Sequence, residues 1–143
     1  MQVAERAVRE AVHKVDAEPS TGDAAWFAAR QPGIIKYLET RCGRDDGMGV
    51  ALLAALAIHT AFERALGVSP PRVASSALER AERSVVAETH GGRPGFAARQ
   101  EALTDFVAGV IAAPPVPLSD DETTRLAVVL ATVVQALDAA VSA

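Results

Sequence analysis

The sequence predicts an all-α fold: a compact bundle of about six helices, arranged as two tandem three-helix repeats with pseudo-twofold symmetry. Three observations carry this. Apolar residues are 50% of the chain but aromatics only 4%, and an alanine-rich, aromatic-poor composition suits close helix packing rather than broad strand faces. Apolar positions recur at helical spacing in segment after segment. Finally, Phe27-Ala28-Ala29-Arg30-Gln31 recurs as Phe96-Ala97-Ala98-Arg99-Gln100.

The first helix is expected over Val3 to Val15, with Val8, Val12 and Val15 on one face and Arg6, Arg9, Glu10 and Lys14 around the other. Glu18-Pro19-Ser20-Thr21-Gly22-Asp23 breaks it, with Asp23 placed to cap the next helix. Ala24 to Cys42 is a second helical stretch, interrupted at Gln31-Pro32-Gly33, where proline removes a backbone donor. The spacing predicts a kink there, or two short helices with Pro32 in the first turn of the second. Gly43 to Gly47 reads as a turn with capping carboxylates. Met48 to Leu66 is apolar on nearly all sides, the pattern of a helix in the middle of a bundle. Gly67 and Ser69-Pro70-Pro71 end it.

A fourth helix is expected over Arg72 to Thr89, a loop over His90 to Gly95 and a fifth helix over Phe96 to Ala112. Ala113-Pro114-Pro115-Val116-Pro117 is a stiff connector. Ser119 to Glu122 has capping-box spacing and starts a last helix that runs to about Val141.

At the offset of the shared pentamer, Ile34 meets Leu103, Tyr37 meets Phe106, Leu38 meets Val107 and Cys42 meets Ile111. Upstream, Glu5-Arg6-Ala7 matches Glu79-Arg80-Ala81. The expected organisation is a single domain over residues 1–143, with repeat one at about 1–68 and repeat two at about 72–143. Each unit exposes an apolar face that it cannot bury alone, so the two bury it against each other. The register of the third helices stays ambiguous, and the stretch opposite His59 reads as Val133 to Leu137.

The net charge is −4 with no basic stripe, which argues against nucleic acid as a partner. One cysteine, Cys42, excludes an internal disulfide and a Cys-rich zinc site. The longest unbroken apolar or glycine run, Met48 to Ile58, falls far short of the ~20 residues a membrane span needs. No signal peptide stands out over Met1 to Asp16, and a cytoplasmic protein with no cofactor and no metal is expected.

The glycines of Gly43-Arg44-Asp45-Asp46-Gly47-Met48-Gly49 follow no strand and carry two aspartates that would repel phosphate, so a capping turn is expected there. His59 and Glu63 share a helix face four residues apart, a structural pair first and half of a metal or acid–base site second. His13 and His90 are read as solvated and Cys42 as a packing thiol. No serine sits in a nucleophile elbow. Arg30-Gln31 and Arg99-Gln100 are repeated polar dipeptides, with each arginine expected to bond an adjacent turn or the other unit. Trp26 is expected in the core, ahead of an interface role. A helix-turn-helix at Gly43 to Gly47 fits poorly, because the following helix starts with no base-reading side chain.

These readings leave an uncharacterised helical protein with no catalytic constellation, expected to be a non-enzymatic interaction or scaffold module that forms a homodimer and has a possible protein partner. The alternative is a small-molecule binder with an apolar pocket between the repeats. The candidate pocket or interface residues are Trp26, Tyr37, Cys42, His59, Phe62 and Glu63.

Overall fold

The computed structural model describes residues 2–17, 21–43, 46–89 and 99–142. Every regular element among them is a helix: α1 (Glu5–Ala17), α2 (Thr21–Arg30), α3 (Pro32–Cys42), α4 (Gly47–Leu66), α5 (Ser75–Thr89), α6 (Glu101–Ala112) and α7 (Asp120–Ser142). The expected count of about six becomes seven because the second helical stretch divides at Gln31. That residue leaves the helical region (φ −130°, ψ 61°) and Pro32 opens α3, where its missing amide donor costs nothing.

The long helices α4 and α7 pack against each other, with α1 and α3 against α4, and α5 and α6 against α7. Both α4 and α7 are long and apolar enough to cross a membrane, but 61% and 56% of those stretches are buried inside the protein. One continuous core includes Phe27, Ile34, Leu38, Ile58, Phe62, Leu130 and Leu137. Burial of each such side chain stabilises the fold by about 1.5–3 kcal/mol.

Several boundaries follow the expected chemistry. Gly67 adopts φ +77° and returns its amide to the Glu63 carbonyl, so α4 ends in the left-handed cap that favours glycine. Ser119 and Glu122 form the reciprocal capping box: the Ser119 amide donates to Glu122 Oε1 at 3.0 Å, and the Glu122 amide donates to Ser119 Oγ at 3.1 Å. Glu122 Oε2 also accepts the Asp46 amide at 3.0 Å. Asp46 makes no side-chain cap of its own, so the carboxylate at the start of α4 is borrowed from α7.

Other expectations are corrected. Val3 precedes α1, and Arg72 to Ala74 precede α5; both segments are instead docked by buried glutamines. Thr21, not Asp23, lies at the start of α2. Trp26 is 53% exposed rather than in the core, because α2 turns Phe27 inward and its neighbour falls on the outer face. The turn residues Arg44 and Asp45, the loop from His90 to Gly95 and the repeated Phe96-Ala97-Ala98 lie outside the described residues.

Candidate functional site

Two buried glutamines organise the polar interior. Gln31 is fully buried, accepts the Val73 amide at Oε1 (2.9 Å) and donates from Nε2 to the Pro71 carbonyl (2.9 Å). Gln100 is fully buried with closely similar torsions (φ −125°, ψ 57°) and accepts the Val3 amide at Oε1 (2.9 Å). Each glutamine thus clasps the segment before a helix in the other half of the chain. Gly33 makes the first clasp close: a Cβ there would lie 2.5 Å from the Val73 carbonyl oxygen.

The second side of each clasp differs. Gln100 Nε2 donates to Asp138 Oδ1 at 2.9 Å, and Arg99 pairs with Asp138 Oδ2 at 3.0 Å. Gln31 Nε2 instead faces His59 Nε2 at 3.5 Å. Asp138, not the stretch Val133 to Leu137, therefore stands to Gln100 as His59 stands to Gln31. The bonds to Pro71 and Val73 fix which end of the Gln31 amide is the nitrogen. His59 Nε2 must then be the acceptor and its proton sits on Nδ1. Nδ1 lies 3.2 Å from Glu63 Oε1, at ion-pair distance but without a well-aligned hydrogen bond. Burial holds His59 below its usual pKa, against the opposing pull of the Glu63 carboxylate. The ring is neutral at pH 7. Glu63 is further held by the Ser69 hydroxyl at 2.9 Å.

The arginine of each dipeptide has a different fate. Arg99 reaches a carboxylate. Arg30 lies over the Trp26 ring with Cζ 5.7 Å from the centroid, and its buried Nε has no hydrogen-bond partner. Trp26 walls a recess of about 90 Å³ with Lys14, Val15, Leu56, Thr60 and Glu63.

A third polar cluster ties α3 to α5. Glu82 takes a bidentate pair from Arg41, both contacts 2.8 Å, and a 2.6 Å hydrogen bond from the Tyr37 hydroxyl. The Arg41 hydrogen bonds hold the Glu82 carboxyl below its ordinary range. Burial, then the bond to Glu82, push the Tyr37 hydroxyl well above its ordinary pKa.

A concavity of about 460 Å³ lies elsewhere. It is a half-open apolar groove between α1, α4 and α6, walled by Val12, Val15, Leu53, Ala57, Phe106 and Val110, with Asp105 as its carboxylate. None of the six candidate residues from the sequence lines it. His59 and Glu63 do meet, and Trp26 shares its recess with Glu63. Phe27 stacks on His59 at 5.1 Å between ring centroids. Phe62 and Cys42 are core residues, and Tyr37 belongs to the Glu82 cluster.

Sequence reasoning missed Asp138, although a lone carboxylate within Ala136-Leu137-Asp138-Ala139 is a signal of a paired internal charge. It also missed the groove, whose floor depends on Gly109 and small α4 residues facing each other across helices. No group of three or more His, Cys, Asp or Glu side chains able to hold a metal ion occurs among the described residues. No family model, curated protein or solved structure matches the chain.

Proposed function

We propose that the protein is a non-enzymatic interaction module that self-associates, with a second copy of the chain covering the groove between α1, α4 and α6. The groove carries this reading. Leu53 on its wall is 47% exposed, and its neighbours are nearly all aliphatic or aromatic. An apolar surface of this kind in water is stabilised by a partner of like character, and closed twofold dimers are the commonest assembly. We read the chain as two diverged copies of one three-helix unit. The paired clasps of Gln31 and Gln100 support this, as does the docking of one segment from each half by the other. We place the protein in the cytoplasm, where α4 and α7 are covered by their helical neighbours rather than by lipid.

Gel filtration with light scattering tests the reading. A dimer at micromolar concentration is expected, and Leu53→Glu should shift it to a monomer. A wild-type monomer, or a dimer indifferent to Leu53→Glu, would overturn the proposal.

The groove volume favours a second reading, since pockets of about 300–1,000 Å³ hold small ligands. In that case the chain is monomeric and binds an apolar fluorescent dye. Gly109→Leu, which projects a side chain into open groove space, should then abolish dye binding.

A further inference from the structure

We propose that His59 is an acid-operated latch on the connector between α4 and α5, residues 67–74. Two side chains pin that connector. Glu63 Oε2 accepts the Ser69 hydroxyl at 2.9 Å. The Gln31 amide holds the Pro71 carbonyl and the Val73 amide, each at 2.9 Å. Both side chains meet the same imidazole, at its two nitrogens. Glu63 Oε1 stands 3.2 Å from Nδ1, and Gln31 Nε2 stands 3.5 Å from Nε2. One buried ring therefore touches both anchors of the connector.

A proton has one place to go. Nδ1 already carries a hydrogen, so protonation adds one to Nε2, the atom that accepts from Gln31. Two donors then face each other where both residues are fully buried. Turning the ring over changes nothing, because both nitrogens of the cation are donors. Turning the Gln31 amide over brings Oε1 to the ring, but it sets Nε2 against the Val73 amide and leaves the Pro71 carbonyl without its donor. Relief at His59 thus breaks both bonds to the connector.

The charges around the ring set the direction. Burial opposes the proton most, Glu63 on the same helix favours it, and Arg30 of α2 opposes it. Among the described residues no charged group of α3, α6 or α7 acts on the ring. Phe27 of α2 packs on it, Lys14 of α1 shares a recess with Glu63, and the connector's exposed Arg72 turns to the Ala29 carbonyl at 3.5 Å. The latch is consequently shut at pH 7 and opens as pH falls below the usual histidine range. Val73 is 3% exposed, so opening draws an apolar side chain out of the core. The second clasp has no such control: Gln100 Nε2 donates to Asp138 Oδ1 at 2.9 Å, a carboxylate already paired with Arg99. The latch works alike whether a second copy or a small ligand covers the groove.

Amide hydrogen exchange of the intact, nitrogen-15-labelled protein tests this, with each rate divided by its intrinsic rate at the same pH. The Val73 and Val3 amides, one from each clasp, are followed between pH 7.5 and pH 5.0. Val73 protection is expected to fall by about tenfold or more, while Val3 stays level. The fall should share its midpoint with the His59 ring titration, read from the ring proton resonances. His59→Gln keeps a neutral polar side chain there and should make Val73 protection independent of pH. If that variant does not fold, agreement of the two midpoints in the wild type carries the test. Val73 protection that ignores pH, loss at Val73 and Val3 together, or a midpoint away from the ring titration overturns the proposal.

Discussion

Gln31, at the junction of α2 and α3, holds the backbone amide of Val73 at 2.9 Å, 42 residues further along the chain. The same side chain takes the Pro71 carbonyl. One amide thereby satisfies both polar edges of an extended segment that has no helix of its own to join. Replacing it with Leu keeps the bulk but leaves buried polar groups without partners. Gln31→Leu is expected to lower stability by about 2–3 kcal/mol, read from the urea midpoint at unchanged slope.

Gly33 is required by the same docking. Its α-carbon faces the Val73 carbonyl so closely that a methyl would stand 2.5 Å from the oxygen. Gly33→Ala should therefore destabilise by about 1–3 kcal/mol, even though alanine is the better helix former. Gly49 is the control, because nothing lies within 4 Å of its added Cβ. Gly49→Ala should be stabilising by up to about 1 kcal/mol. Thermal melts of the pair decide it; equal shifts would remove the close-approach argument.

His59 makes stability depend on pH. Its folded-state pKa lies below the unfolded value of 6.5, so the unfolded chain binds the proton more readily. Stability from this residue is therefore full above about pH 6.5 and is lost as pH falls below it, by at most about 1.4 kcal/mol per pH unit. Urea midpoints at pH 5.0, 5.5, 6.0, 7.0 and 8.0 should trace that decline, and His59→Gln should flatten it. Glu82 acts lower on the scale. Its depressed pKa adds stability above 4.5 that disappears as pH falls further.

The Arg41–Glu82 pair is partly exposed, with side chains 36% and 22% accessible. Solvent screening limits its worth, but its bidentate geometry and the Tyr37 bond place it above an ordinary surface pair. Glu82→Gln is expected to cost about 1 kcal/mol. Tyr37→Phe should cost a similar amount, and a double-mutant cycle should show the two coupled.

At the start of α7, Ser119→Ala removes the oxygen that accepts the Glu122 amide. A loss of about 1 kcal/mol is expected. Glu122→Ala should also destabilise, and amide exchange should then quicken at Asp46 as well, since both helix starts share that carboxylate.

Local chemistry was legible in the sequence; relations across the molecule were not. The stop at Gly67, the capping box at Ser119, the interruption at Pro32 and the burial of Cys42 each depend on a few adjacent residues, and each is found. The pairing of His59 with Glu63 follows from helix spacing alone. Trp26 was misplaced because Trp26 and Phe27 compete for one inward position and size alone does not choose. Val3 and Arg72 to Ala74 read as helix because propensity cannot see a buried glutamine elsewhere that takes their polar groups. The counterpart of His59 was missed because the match expected an apolar residue, while the fold places Asp138 there. The groove was invisible because its walls come from three helices distant in sequence.

The clasp between Val3 and Gln100 spans 97 positions. During synthesis the amino-terminal segment emerges first, yet its partner follows only after roughly 5–20 s of further elongation at ordinary rates. Until then the amide of Val3 has only water, and the apolar surface of α1 lacks its packing against α6. The order in which the ribosome delivers this chain thus lets α1 pack on α4 first, and the Val3–Gln100 clasp closes only once α6 has emerged.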